Sequence, residues 1–345
     1  MTSDFGKIRA VSWSRRDLMK AGAAVSLLSL GLDRFAFAKD AIEFKASLFP
    51  PPANGAVKVI KAWGKQLAEK TGNQVNVEVF PSGQMGPPNR QYDLVREGVA
   101  DLSWVLHGFT PGRFPLIDIA NLPGMFETSE AATAAMWRVR DELIAEHKAV
   151  RVLGLVASPT LVIMTRTKPI QKPADVKGLR IRPPSAVAAG AIQSLGGVSV
   201  AVPPAEMGEA LSKGVIDALV TTAEAAASFR LFESIKYVSD VNMGMATFAF
   251  VMNPGAYERL PPDLRAALDS ISGKPFEQQA VNEFEANETA ARAAAREAGT
   301  EFIKLSADAA GAFAAALKAH REKVIAKMVS DGIKNAGAVY SALQA

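Results

Sequence analysis

Apolar and polar positions alternate with a period near two over residues 41–48, 75–80 and 100–106, each about the length of a strand. Between the first two runs Pro50, Pro51 and Pro52 break the chain, and Asn54 stands where a helix cap belongs, ahead of a helix over 56–70. Ile60, Trp63 and Leu67 recur at helical spacing on one face of it, and Thr71, Gly72 and Asn73 end it. Pro81, Ser82 and Gly83 turn the chain; residues 91–97 predict a short helix that Gly98 stops. Strand, helix, strand, helix, strand is the order of a mostly parallel sheet. A second series follows. Strands are predicted over 150–155, 161–165, 180–182, 198–202 and 215–220, with helices ending at 195 and 212. Two of these units read strand, Pro-Pro, helix, glycine. Residues 248–253 predict one more strand, and from Pro261 onward the chain reads as helices rich in Ala and Glu. The fold class is therefore α/β, with two sheets flanked by helices around a cleft.

Residues 1–38 follow neither pattern. The segment 14–20 (SRRDLMK) resembles the twin-arginine export motif, the apolar run 21–32 follows it, and Ala36 and Ala38 are small residues where a signal peptidase cuts. The run is too short for the ~20 residues of a membrane span. The expectation is a twin-arginine signal peptide over 1–38, a mature chain from about Lys39, and a soluble periplasmic protein that folds before export.

Composition narrows the classes. The formal net charge is +4. Six of the Lys and Arg residues but only three acids lie in 1–38, so the remainder is close to neutral. No Lys/Arg block occurs, which argues against nucleic acid. There is no cysteine, hence no disulfide, thiol nucleophile or Cys-ligated zinc. His107, His147 and His320 lack metal-ligand spacing. No Ser-His-Asp order or nucleophile elbow stands out. No cofactor or metal is expected.

The segment 177–184, KGLRIRPP, carries the sharpest chemical signal. Charged side chains have no place in the middle of a doubly covered parallel strand, so Arg180 and Arg182 belong at its ends. Pro183 holds Arg182 extended and withdraws the next ladder donor. Arg182 then closes the strand at its carboxyl end, where open α/β sheets place ligands. Ser185 follows as the cap of a helix whose N-terminus also favours anions. A guanidinium so placed suits a carboxylate held by two parallel hydrogen bonds. Arg180 reads as a solvated salt-bridge partner.

Here the chain resembles a family. PIQKPADVKGLRIR (169–182) is similar to the signature of the solute-binding proteins of tripartite ATP-independent periplasmic (TRAP) transporters. The segments 69–86, 91–101 and 204–220 (PAEMGEALSKGVIDALV) resemble further stretches of that family in the same order. The resemblance implies a two-lobed periplasmic binding fold with its ligand cleft between lobes. Lobe I is expected over 39–158 and 249–287, and lobe II over 159–248 and 288–345 with the C-terminal helices. It also implies capture of a small organic acid and delivery to membrane permease subunits, without catalysis, with Arg182 as the carboxylate anchor.

The departures from that pattern shape the ligand. Many members that bind sialic acid or C4-dicarboxylates carry a second arginine about 20 residues before the anchor; here that position falls near Leu161. Thr221 and Thr222 stand where many members have asparagine, with Glu224 beyond. A monocarboxylate with an apolar or aromatic body is the better match. Phe49, Trp104, Phe109 and Phe248 fall at strand ends or adjoining loops, where they sandwich a ligand or join the core. Pro184 and His107 complete the expected site, while His147 and His320 read as surface residues. A periplasmic enzyme acting on an organic acid and a ligand sensor are the alternatives.

Overall fold

A computed structural model describes residues 41–345. The expected export segment lies outside the described residues. The first sheet begins as the alternation predicts. Strand β1 (Ile42–Ser47) leads into helix α1 (Gly55–Lys70), then β2 (Val75–Phe80), α2 (Gln91–Arg96) and β3 (Leu102–Leu106). Asn54 caps α1, its side chain accepting from the Ala56 N–H. Ile60, Trp63 and Leu67 are fully buried against the sheet. Helices α3 (Pro115–Ala120), α4 (Ser129–Met136) and α5 (Arg140–Ile144) occupy a stretch in which the pattern names no element; β4 (Arg151–Ala157) follows.

The second sheet takes β5 (Val162–Thr165), β6 (Arg180–Arg182), α6 (Ala186–Ser194), β7 (Val198–Ser199), α7 (Met207–Ser212), β8 (Ala218–Thr221), α8 (Ala223–Ser228) and β9 (Tyr237–Ser239). Two strands are shorter than predicted, for identifiable reasons. β7 stops at Ser199 because its partner β6 runs into Pro183 and Pro184, which offer no N–H. β8 starts at Ala218 because the N–H groups of Val215 and Ile216 turn back to the Ala210 carbonyl and close α7. Then β10 (Thr247–Met252) returns to the first sheet. Helices α9 (Pro254–Glu258), α10 (Pro262–Ser270) and α11 (Lys274–Glu297) lead to β11 (Glu301–Ile303), α12 (Ala307–Ser330) and α13 (Ala336–Gln344). The three-residue strands β9 and β11 are too short to show a period in the sequence.

The strand orders are β2-β1-β3-β10-β4 and β11-β9-β5-β8-β6-β7. Each sheet is parallel apart from one reversed strand, β10 in the first and β5 in the second. Apolar clusters cover both faces of each sheet. The chain passes between sheets three times: at 158–161, at 240–246 and along α11. The first two crossings are zipped together. Leu161 donates to the Gly244 carbonyl at 2.8 Å, Met243 donates to the Leu161 carbonyl at 2.9 Å, and Ser158 donates to the Ala246 carbonyl at 2.8 Å.

The C-terminus departs from the expected lobe assignment. Ile325, Met328, Val339 and Leu343 pack in the core beneath the first sheet, with Ile117 and Ala132. The apolar stripe of α13 finds its cover on α3 and α4, so the tail returns to lobe I after α12 has passed lobe II.

Gly244 sits in the hinge at φ +92°, and a Cβ there would lie 2.2 Å from the Asn121 carbonyl oxygen. Both the left-handed backbone and the close approach demand glycine. Gly244→Ala is expected to destabilise the protein by about 2 kcal/mol or more. The measurement is urea unfolding, and an unchanged midpoint would contradict this account of the hinge.

Candidate functional site

Arg182 is the last residue of β6, and its side chain is 4 % exposed. Its Nε donates to the Val202 carbonyl at 3.1 Å, and no carboxylate lies within ion-pair distance among the described residues. Arg180, two residues earlier, has the opposite fate: it is exposed and forks onto Asp217 at 2.7 and 3.0 Å. The strand thus spends one arginine on a solvated ion pair and buries the other without a counter-ion. Burial pulls the Arg182 pKa down to about 10, far above neutral pH, so the guanidinium stays charged. An isolated buried charge is costly, and an anion that supplies the missing partner recovers that cost.

The walls around it come from both sheets. β8 lies parallel to β6, and their carboxyl ends place Thr221 and Thr222 beside the arginine. Thr222 caps α8, accepting from the Ala225 N–H at 3.1 Å, and Ser185 caps α6 in the same way. The first sheet contributes aromatic rings. Trp104 stacks on Phe248 with centroids 5.0 Å apart, and Phe284 of α11 stands 6.0 Å from each. Phe49 meets Phe109 edge to face at 5.4 Å. Together these enclose ≈ 680 Å³ of empty space, the open mouth included. Among the described residues, Arg182 is the only basic residue lining it and Glu224 the only acidic one.

Eight of the nine predicted site residues line this one cleft: Phe49, Trp104, Arg182, Pro184, Thr221, Thr222, Glu224 and Phe248. His107 does not. The chain turns away after β3, and the imidazole is buried beneath the first sheet, its Nε2 3.0 Å from Nε2 of His147. His147 is buried as well, stacked on Phe114 at 4.6 Å, which corrects its expected surface position. His107 Nδ1 lies 2.9 Å from the Thr247 carbonyl and 3.0 Å from its hydroxyl, and His147 Nδ1 lies 3.1 Å from the Leu143 carbonyl, so both rings are tied to the backbone as well as to each other. Arg113, in the loop after β3, is held by Asp93 at 3.0 Å.

Asn54, Ser158, Phe229 and Phe284 also line the cleft and escaped the sequence reading. Asn54 carried a signal, but as a helix cap. Phe284 lies on a long helix whose approach to the cleft depends on the third crossing, and no local pattern reveals that.

A largely apolar cleft between two α/β lobes, with one buried cation that has no counter-ion, suits a protein that closes on a small organic anion. The model of the bacterial extracellular solute-binding proteins, family 7, matches residues 48–328, and the chain belongs to that family as a TRAP periplasmic solute-binding protein. It is similar in structure to a TRAP solute-binding protein of an unidentified marine microbe, described as specific for aromatic acid ligands and bound to 3-hydroxybenzoate. The identity is 28%, the TM-score 0.84, and 88% of this chain and 97% of the other are covered. A Rhodoferax ferrireducens T118 protein with copurified benzoate matches with 28% identity, a TM-score of 0.83 and the same coverage. The C4-dicarboxylate-binding periplasmic protein DctP of Rhodobacter capsulatus is 27% identical over 85% of this chain and 89% of its own.

Two consequences are measurable. Arg182→Met replaces the unpaired cation with an apolar side chain of similar reach. Unfolding in the absence of ligand is expected to show a gain on the order of 1–2 kcal/mol, the relieved desolvation outweighing the lost bond to Val202. A loss would mean that the guanidinium is structural. Burial lowers His107 well below the ordinary histidine range and His147 to about 4. The folded pKa lies below the unfolded one, so stability is lost as pH falls from 6.5 towards 4, on the order of 3 kcal/mol for His147. Unfolding profiles of the wild type and His147→Leu against pH should diverge over that window, and parallel profiles would exclude it.

Proposed function

We propose that this protein captures an aromatic monocarboxylate in the periplasm and passes it to the membrane permease subunits of a TRAP transporter. The observation that carries this reading is Arg182: one cation, buried and unpaired, at the end of a cleft walled by aromatic rings. The ligand carboxylate takes the guanidinium in a bidentate pair, with Thr221 and Thr222 beside it. The ring lies among Phe49, Trp104, Phe248 and Phe284, where offset and edge-to-face contacts are available.

A dicarboxylate clamped at both ends fits poorly. Leu161 lines the cleft where a second arginine would be needed, and the one remaining charge, Glu224, is negative. The aromatic acids named for the two structural relatives agree with this choice. Binding requires no chemistry beyond charge pairing, ring packing and closure, so the role is transport without turnover. Export follows the twin-arginine route that residues 14–20 suggest.

The test is a thermal-unfolding series with benzoate, 3-hydroxybenzoate and mandelate against succinate and glucuronate. An aromatic acid at ~1,000 times its Kd should stabilise by about 4 kcal/mol, a shift of several degrees, while succinate gives none. Arg182→Ala should weaken that binding at least about tenfold. A shift with succinate alone, or one that survives in Arg182→Ala, refutes the assignment.

A further inference from the structure

The cleft contains a second ionisable group, and the structure commits it to the protein rather than to a carboxylate ligand. Glu224 is the second residue of α8, in lobe II. Its carboxyl reaches across to lobe I. Oε1 accepts from Asn54 Nδ2 at 2.8 Å and from the Gly55 N–H at 2.8 Å, and Oε2 accepts from Asn54 Nδ2 at 3.1 Å. Asn54 is the cap and Gly55 the first residue of the sixteen-residue α1. The Gly55 N–H has no partner within its own helix. Lobe II therefore supplies the acceptor that completes the start of a lobe I helix. The other rim of the cleft is shut too: a Cβ on Gly108 in lobe I would lie 2.5 Å from Ser185 Cβ in lobe II. Opening the lobes breaks the Glu224 bonds and returns all these groups to water.

We propose that Glu224 is a proton-coupled closure latch, which ties α8 of lobe II to the N-terminus of α1 in lobe I and takes up a proton when the cleft shuts. The charges around it set the direction. α11 brings a second carboxylate: Glu288 accepts from the Glu224 N–H at 2.8 Å and is itself held by Arg292, which also binds Asp240. α1 brings Lys58, which is engaged with Asn287 at 2.8 Å and Glu283 at 3.4 Å. The turn Leu231–Glu233, also packed on α8, leaves Arg230 and Glu233 outside hydrogen-bond reach of Glu224. Burial pushes the Glu224 carboxyl up to about 7; the Gly55 N–H, Lys58 and Asn54 oppose the rise and Glu288 adds to it. In the open form water restores the ordinary carboxylate range. The closed form thus binds the proton more tightly, and closure becomes easier as pH falls from about 7 towards 4.5.

The chain has no cysteine, so spin labels on Val99→Cys in lobe I and Val198→Cys in lobe II report the distance between lobes cleanly; both positions are exposed. The measurement uses unliganded protein, so its outcome is independent of the aromatic-acid reading. The closed fraction is expected to be about two- to tenfold larger at pH 5.5 than at pH 8. Glu224→Gln keeps the acceptor oxygen without the titration, and its closed fraction should be the same at both pH values. Glu224→Ala should open the protein at both. A wild-type distribution that does not respond to pH, a pH response that persists in Glu224→Gln, or a closed fraction unaffected by Glu224→Ala would each overturn the proposal.

Discussion

The organisation of this molecule turns on an arginine that the protein buries and does not neutralise. Arg182 is drawn from water by the end of β6, and the protein offers its guanidinium a single backbone carbonyl. A buried cation without an anion is unfavourable in a stable fold, and the carboxylate proposed above would supply the missing partner. The neighbouring Arg180 shows what the same strand does when no ligand is intended, since Asp217 neutralises it at the surface. Everything else around the cleft follows from keeping Arg182 dry, charged and within reach.

The aromatic lining of the cleft is supplied by the other lobe. Trp104, Phe248 and Phe284 belong to the first sheet and its helix, whereas Arg182 and the threonines belong to the second. The cleft lining is complete only with both lobes, so on the proposed reading ligand binding and closure are one event. That requirement explains the hinge. Three chain crossings hold the lobes in register, two of them zipped by backbone hydrogen bonds around Gly244, and the long α11 spans the third. C-terminal α13, tucked back under lobe I, adds a further tie across the same axis.

Much of this was legible in the chain, and the limits of legibility have physical causes. The period-two runs marked β1, β2 and β3, and Asn54 and Ser185 marked helix starts, because local sterics and capping decide those features. Arg182 was legible because Pro183 fixes where its strand must stop. The aromatic wall was half legible: Phe49, Trp104 and Phe248 lie at strand ends, but Phe284 and Phe229 reach the cleft through helices whose placement is tertiary. His107 was misplaced for the same reason. Its position after β3 was right, but which side of the sheet it faces depends on Phe114 and His147, and those residues flank helices the pattern did not name.

The economy of charge in the cleft has a consequence for selectivity. With one cation, the site offers a single strong pairing, and a second carboxylate on a ligand would meet Leu161, a phenyl ring or Glu224. Rejection of a dianion then needs no dedicated clash, because a buried unpaired carboxylate is penalty enough. An apolar ring loses nothing in the same place and gains the contacts of Trp104 and Phe248. Discrimination among acids is thereby set more by what this cleft lacks than by what it contains, and the missing second arginine is as informative about the ligand as the one that is present.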